Sequence, residues 1–393
     1  MSIFSKHKKK DELTLVINFG SSSVAGALFI MQESGIPQIV FSVRESIAIE
    51  KEINPARFLS LALQSLERVI SKVHDAKIGM PSRTFCVLAS HWCISQTRMI
   101  NYKKNTPFIF NEKLANSLIQ KEIKLFEEEH LIKYSMDKSS VRVIEIKNIK
   151  IALNGYETPK PLDKKAEELE MTIFMSMGER QILEKIENII KKYFYLDRIQ
   201  FSSFALSSFT VARDLYTEQE NFLLVEIGGE ITDIFMVKRN MLLESISFPL
   251  GRNFLTRGVS LQLGCSLGEA DAFISLFRDG HAEEATAQKL ALIMNQLRGE
   301  WLKKFQESLI NLSSDISIPS IIYTVIDKDL ADFFSETIKT EQFSQYVLTE
   351  SKFKVTFLGL ELLHGLATFE EKVIREPFLI IDAIYINRFL TTA

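Results

Sequence analysis

The order of apolar and polar residues predicts that the chain opens with strands and a helix. Leu13–Asn18 is a short apolar run that ends at a glycine, which is typical of a buried strand. Apolar residues resume over Ser21–Met31 and Gln38–Arg44, so three strands joined by tight turns are expected. Pro55–Ala76 then has apolar residues at helical spacing, and its Asn-Pro start favours helix entry.

The next part of the chain predicts a separate α+β unit over residues 85–193. Asn154 and Gly155 form a strong hairpin signal between two apolar segments. The predicted elements are strands at Thr84–Ser95, Val141–Leu153 and Leu169–Met177, and helices at Asn111–Phe126 and Arg180–Phe194. We expect this unit to interrupt a first lobe.

The second half of the chain repeats the pattern of the first. Leu223–Val237 matches Leu15–Ile30 as strand, glycine turn and second strand, which predicts two similar lobes. The later elements are strands at Met241–Phe248, Ile318–Val325 and Lys354–Leu360, and helices at Asn253–Gly264, Ser266–Arg278, Ala282–Leu312, Lys328–Lys339 and Leu362–Lys372.

These elements predict the following organisation. The parts are a basic tail (1–12), a first lobe (13–84 and 194–216), the inserted subdomain (85–193), a second lobe (217–250 and 313–372) with a helical subdomain (251–312), and a C-terminal element (373–393).

Composition excludes some classes of function. The net charge of -3 over 393 residues creates no field that favours nucleic acid. The three cysteines fit a reduced compartment. The sequence contains no run of 18 apolar residues, so we expect no transmembrane helix. The basic start lacks the apolar region of a secretory signal. We therefore expect a cytoplasmic protein, with the inner face of the cell membrane as a further location.

Two glycine turns are candidate phosphate-binding loops. In the first, Gly20 is followed by three serines after a strand, so backbone N–H groups and hydroxyls meet in one turn. In the second, Glu226 ends a strand before Gly228 and Gly229, and Glu226 is a candidate Mg²⁺ residue that acts through water. Each turn alone is equally consistent with a plain hairpin.

The two turns together resemble the actin, heat-shock chaperone and sugar-kinase superfamily, in which two such loops clamp a nucleotide. Phe222–Leu250 and the helices that follow resemble the FtsA branch, and the insertion has the position of the extra domain in FtsA and its pilus-assembly relative PilM. The resemblance implies an actin-like (ribonuclease H-like) two-lobed α/β fold that binds ATP and Mg²⁺. The residues implied for the nucleotide are Asn18, Gly20, Ser21, Ser22, Ser23, Gly228, Gly229, Thr232, Gly251 and Glu269, with Glu226 and Asn18 holding the metal through waters.

Three departures from the family pattern weaken the implied nucleotide site. Asn18 and Glu226 stand where the family usually has aspartate. Tyr323–Leu330 has no glycine where the family places a glycine pair against adenine. We expect a weak ATPase or a pseudo-ATPase, and nucleotide binding stays open.

Two classes of function follow from the sequence. The first is a self-associating scaffold of the FtsA type in cell division, or of the PilM type in pilus assembly, where a groove would take an extended peptide from a membrane partner. The basic tail, with Ile3 and Phe4, fits either a disordered, solubilising segment or weak contact with a membrane. The second is a small-molecule kinase that resembles acetate kinases, with Arg252 and Arg257 as candidate cations.

Overall fold

The structure, a computed structural model, describes residues 12–134, 140–195, 198–312, 317–340 and 352–390. Its strands are β1 (Leu13–Phe19), β2 (Ser23–Ile30), β3 (Gln38–Ser46), β4 (Arg83–Leu88), β5 (Cys93–Ile109), β6 (Val141–Leu153), β7 (Tyr156–Glu157), β8 (Lys165–Glu179), β9 (Ile199–Ser203), β10 (Phe222–Ile227), β11 (Thr232–Lys238), β12 (Met241–Phe248), β13 (Ile321–Ile326), β14 (Lys354–Phe357) and β15 (Thr368–Phe369). Its helices are α1 (Pro55–Asp75), α2 (Glu112–Tyr134), α3 (Arg180–Tyr193), α4 (Phe204–Leu215), α5 (Arg252–Leu263), α6 (Leu267–Arg278), α7 (Glu284–Leu312), α8 (Ala331–Lys339), α9 (Leu360–Leu363) and α10 (Pro377–Tyr385).

The first lobe is built on a six-stranded sheet with the order β15-β3-β2-β1-β4-β9. The first three strands form an antiparallel meander, and β4 and β9 extend the sheet in parallel to β1. Because β1 is central, every residue from Thr14 to Phe19 is buried. Asn54 caps α1, whose apolar face packs on this sheet.

The second lobe repeats this topology. Its sheet has the order β12-β11-β10-β13-β14, again with an antiparallel meander followed by two parallel strands. The two central strands, β1 and β10, therefore occupy equivalent positions in the two lobes. This confirms the internal repeat that the sequence predicted.

The inserted subdomain has a four-stranded sheet of its own, with the order β5-β8-β6-β7. Helix α2 covers one face of this sheet, where Ile123 and Phe126 pack in its core. The four strands of this sheet run from Cys93 to Glu179, so the sheet covers a shorter stretch of the chain than the predicted 85–193. Strand β4 belongs to the sheet of the first lobe because it pairs with β1, and α3 packs on the first lobe beside α1.

Helices α4 and α10 join the two lobes. Both contribute to one apolar cluster that also includes residues of β1, β10 and β13. Glu376 caps α10 by accepting a hydrogen bond from the Leu379 N–H at 2.7 Å, and Pro377 starts the helix. Every residue of α10 except Phe378 is buried, so the C-terminal element is a core component of the fold.

Two predicted elements differ from the structure. The helix predicted at Leu362–Lys372 is wrong, because α9 ends at Leu363 and Gly365 adopts a left-handed backbone (φ +86°) before β15. The strand predicted at Thr84–Ser95 is two strands, since the Trp92 N–H bonds the Ala89 carbonyl in a turn between them. The predicted tail lies outside the described residues, apart from Glu12. Within the described ranges, no helix has both the length and the apolar character needed to span a bilayer.

Candidate functional site

The two predicted phosphate loops are in direct contact across the lobes. We call residues 18–23 loop 1 and residues 226–233 loop 2. The Ser21 hydroxyl accepts hydrogen bonds from the backbone N–H groups of Gly229 at 2.8 Å and Glu230 at 3.4 Å. A Cβ atom on Gly229 would lie 2.5 Å from the Ser21 carbonyl oxygen, so this approach requires glycine.

Loop 1 is a closed turn supported by two residues that the sequence analysis did not select. The Gly20 N–H bonds the Ser23 carbonyl at 3.1 Å, and the Trp92 indole N–H bonds the Gly20 carbonyl at 2.8 Å. The Arg44 Nε donates to the Ser23 hydroxyl at 2.8 Å. The polar groups of this turn are therefore largely engaged within the protein.

Loop 2 is held by the start of α5. The N–H groups of Arg252 and Asn253 each bond a loop carbonyl, Gly228 and Gly229 respectively, at 2.9 Å. A Cβ on Gly251 would lie 2.5 Å from those same carbonyl oxygens, which explains the glycine at this N-cap. Free N–H groups at a helix N-terminus attract anions, but here they are already bonded.

Thr232 and Glu269, both implied for the nucleotide, have other partners in the structure. Thr232 is fully buried and its hydroxyl donates to the Leu250 carbonyl at 2.7 Å. Glu269 lies on the surface and forms a capping box with Ser266 at the start of α6. Their role toward a nucleotide stays a prediction.

A buried carboxylate lies in loop 2. Glu230 is 3% exposed and receives hydrogen bonds from Asn253 Nδ2 at 2.8 Å and from both terminal nitrogens of Arg257 at 2.7 Å. Arg257 also donates to the Glu50 carbonyl of the first lobe at 2.8 Å, so this ion pair bridges the lobes. The Arg257 guanidinium is therefore occupied by Glu230 and is not free to bind a phosphate group.

Asn18 is bonded to α10. Its amide donates to Asp382 Oδ2 at 2.8 Å, and the Ser207 hydroxyl of α4 donates to Asp382 Oδ1 at 2.8 Å. Burial raises the pKa of Asp382 to about 8, although the bonds from Asn18 and Ser207 oppose the rise. Loop 1 is thus joined to both helices that connect the lobes.

Glu226 lies in a buried acidic environment. Burial, followed by the charges of Asp233 and Asp382, raises the pKa of Glu226 well above its ordinary value. Burial also raises the pKa of Asp233 to about 6, although a hydrogen bond from Ser247 opposes the rise. The Glu226 Oε2 atom has no hydrogen-bond partner among the described residues. Among all the residues that the structure describes, no three histidine, cysteine, aspartate or glutamate side chains lie close enough together to hold a metal ion.

An ion-pair network lies at the end of β13, in the segment where the sequence analysis expected a glycine pair and found none. Asp327 follows β13 and contacts Arg44 of the first lobe and Arg252 of the second, each at 2.6 Å. Burial favours a raised pKa for Asp327, but the two arginines outweigh it and lower the pKa. Arg44 also contacts Glu376 at 3.4 Å, and burial raises the pKa of Glu376 to about 7. Arg252 and Arg257, candidate cations for phosphoryl transfer, are therefore both paired with carboxylates.

The closed arrangement does not fit a nucleotide. The Ser21 hydroxyl and the Gly229 N–H, which would face a phosphate, bond each other. Asn18 is engaged with Asp382, and the carboxylate of Glu230 lies within loop 2. These groups would have to separate before a phosphate could enter.

A groove of about 600 Å³ lies between the inserted sheet and the first lobe, and we call it groove 1. It is lined by residues 142–147 of β6, 198–202 around β9, Glu187, Lys191, Leu206, Tyr385 and Leu390. Within the described residues, β9 pairs only with β4, and β6 pairs only with β8 apart from a two-residue contact with β7. Groove 1 therefore lies between two open strand edges.

Comparisons with known proteins identify the fold class. No protein-family model matches the sequence, and no curated protein matches it. The fold is similar to a solved structure of the PilM–PilN type IV pilus biogenesis complex, at 12% identity and a TM-score of 0.58, covering 96% of each chain. Weaker similarities include the ethanolamine utilization protein EutJ from Carboxydothermus hydrogenoformans (10% identity, TM-score 0.44, 97% of this chain and 90% of that one). A Bacteroides thetaiotaomicron protein with an actin-like ATPase fold is also similar (10% identity, TM-score 0.40, 96% and 98%).

The first of these similarities carries the fold assignment. Together with the two repeated sheets, it shows that the chain has the actin-like two-lobed fold with an inserted subdomain, as the sequence predicted. At 12% identity the similarity extends to fold alone.

Proposed function

We propose that this chain is an actin-like adaptor that binds partner proteins and does not turn over nucleotide. The observation that carries this proposal is the direct contact between Ser21 and Gly229, which uses the groups that would otherwise face a phosphate. The bridges from Arg257 to Glu50 and from Arg44 to Asp327 support it, because both hold the lobes together at the same cleft.

Groove 1 is the proposed partner site. Open strand edges accept an extended peptide by adding a strand, and side-chain pockets then give specificity. Four basic residues line the groove (Arg142, Lys147, Lys191 and Arg198), against two acidic ones (Glu145 and Glu187). Glu145 is half-buried and bonded to Ser176, Ser202 and Ser203. The excess of basic over acidic side chains in groove 1 favours an extended peptide with acidic residues.

The cellular process has two candidates. The fold similarity to the PilM–PilN structure favours a role in pilus assembly, in which groove 1 holds a segment of a membrane partner. The residues of Phe222–Leu250 resemble FtsA and favour cell division. Self-association and weak contact of the basic tail with a membrane fit either role, at the cytoplasmic face of the membrane.

Calorimetry with ATP and Mg²⁺, paired with a phosphate-release assay, tests the first part of the proposal. We expect no heat of binding at millimolar nucleotide and no release of phosphate. Coupled assays with acetate and sugars test the kinase alternative in the same preparation. Robust phosphotransfer, or saturable ATP binding by the native chain, would contradict the proposal.

A charge reversal in groove 1 tests the second part. Binding of acidic synthetic peptides, taken from the sequences of pilus-assembly and division proteins, is measured for the native chain and for Arg198→Glu. Arg198 is exposed and lines the groove, so its reversal should weaken binding without unfolding the protein. Lys303→Glu, on the exposed side of α7, is the matched control and should bind normally. Equal binding by both variants would contradict the assignment of groove 1.

A further inference from the structure

The inserted sheet has a second open edge, on the side opposite groove 1. This edge is β5, and it faces β12, the edge strand of the second lobe, across a groove of about 620 Å³ that we call groove 2. Groove 2 is lined by residues 94–97 of β5, Phe126 and Glu129 of α2, and residues 242–247 of β12. It therefore separates the inserted subdomain from the second lobe, whereas groove 1 borders the first lobe.

The two strands touch at one point and are otherwise unpaired with each other. The Thr97 hydroxyl donates to the Leu242 carbonyl at 2.6 Å. In the part of the chain that the structure describes, β5 pairs with β8 alone and β12 with β11 alone. The pairing of β12 with β11 shifts between Leu242 and Glu244 and is regular over residues 244–248. Alternate residues of each edge therefore direct backbone N–H and C=O groups into groove 2, which is the arrangement that accepts an added strand.

Groove 2 also offers apolar surface on both of its walls. Ile94 of β5 is 38% exposed, and Leu243 and Ile246 of β12 are half-buried. An extended segment with apolar side chains would remove this surface from water, and each buried methylene group favours such binding. The apolar side chains thus select an occupant that is more than a run of charges.

The charged residues around groove 2 are mainly acidic. Glu244 is exposed on the β12 edge, and residues 127–129 of α2 are three consecutive glutamates, of which the last lines the groove. Arg98 contacts Glu129, and Lys238 of β11 interacts with Glu244, but no lysine or arginine is among the lining residues. The carboxylates outnumber the cations, so groove 2 attracts basic side chains, whereas groove 1 attracts acidic ones.

We propose that groove 2 binds an extended segment of a partner protein that combines basic and apolar residues. The segment joins the edge of β5 or β12 as an added strand, with its basic side chains near Glu244 and Glu129 and its apolar ones on Ile94 and Ile246. The six residues 242–247 of β12 span about 20 Å, so about six residues of the partner follow this edge. The chain would then hold two different partner segments, one in each groove.

The first test measures binding of a dye-labelled synthetic peptide of eight residues, in which lysine and valine alternate, by fluorescence anisotropy. Binding to the native chain should be saturable. Glu244→Lys should weaken the affinity by about tenfold, because an attractive charge becomes repulsive. Glu52→Lys, at an exposed position before α1, is the matched control and should bind normally. Arg198→Glu, in groove 1, should also leave the affinity unchanged.

The second test asks whether the peptide is added as a strand. Methylation of every second backbone nitrogen removes the N–H donors on one side of the peptide without changing its charge. Of the two alternate sets, at least one should lose about tenfold in affinity, because its donors face β5 or β12. Hydrogen exchange should slow at residues 94–97 or 242–247 on binding, and this identifies the strand that is used.

Four results would overturn the proposal. They are no binding at millimolar peptide, equal binding by Glu244→Lys, full binding of both methylated peptides, and equal binding of a peptide with serine in place of valine, since charge alone would then recruit it. Sedimentation tests a different occupant: a dimer of the native chain that Glu244→Lys dissociates would assign groove 2 to a second copy and contradict the proposal. These outcomes are independent of groove 1, so failure here leaves the proposed function standing.

Discussion

Gly229→Ala should destabilise the protein by separating the two loops. The added Cβ would lie 2.5 Å from the Ser21 carbonyl oxygen and 2.6 Å from the Ser22 nitrogen. Both are backbone atoms, so no side-chain rotation can relieve the contact. Overpacking of this kind costs about 1–3 kcal/mol. Loss of the bond from the Gly229 N–H to Ser21 adds about 1 kcal/mol. The expected loss is therefore about 2–4 kcal/mol in the free energy of unfolding.

Urea unfolding followed by fluorescence measures this loss. Gly299→Ala is the matched control, because Gly299 lies inside α7 and an added Cβ would meet nothing within 4 Å. There alanine should stabilise the helix by about 0.5–1 kcal/mol. If Gly229→Ala unfolds at the same urea concentration as the native chain, the loops are not in contact in solution and the reasoning fails.

Three further predictions follow from the buried polar groups. The free energy of unfolding should fall as the pH rises from about 4 to about 8, because Asp382 ionises near 3.8 in the unfolded chain but keeps its proton until a pKa of about 8 in the folded one. Urea unfolding at pH 5 and pH 9 measures this change, and Asp382→Asn should reduce it. An equal change in the variant would refute the raised pKa of Asp382. Arg44→Met should cost about 3–5 kcal/mol because it leaves the buried Glu376 carboxylate without its arginine and removes one of the two arginines that hold Asp327. Adding Glu376→Gln should restore part of this loss, and strict additivity of the two changes would contradict the ion network. Trp92→Phe should cost about 1 kcal/mol through the lost bond to loop 1, and a thermal midpoint equal to that of the native chain would count against that bond.

The alternation of apolar residues was enough to predict the two lobes and the insertion. Period-two and helical patterns identify local elements, and the repeat of Leu15–Ile30 at Leu223–Val237 predicted equivalent central strands. The glycine turns were recognisable because glycine at the end of an apolar strand permits the tight turns and close backbone approaches that other residues cannot adopt. The contact between the two turns was a hypothesis about long-range geometry, and the structure brings them together.

The partners of the loops could not be predicted from local pattern. Asp382 lies in an apolar stretch at the end of the chain, 364 residues from Asn18, and nothing near it in sequence indicates that bond. Glu230 follows the glycine pair and reads as a solvated turn residue, yet it is buried by Arg257 from another helix. Arg252 and Arg257 suggested phosphate chemistry, whereas both neutralise carboxylates of this chain. Such pairings depend on packing between lobes, which sequence periodicity does not encode.

A crystal structure grown with a non-hydrolysable ATP analogue and Mg²⁺ tests the central claim most directly. We predict that the Ser21 hydroxyl stays within hydrogen-bond distance of the Gly229 N–H, at the present separation of 2.8 Å, with no phosphate between the loops. A phosphate held between loop 1 and loop 2, with Asn18 released from Asp382, would contradict it.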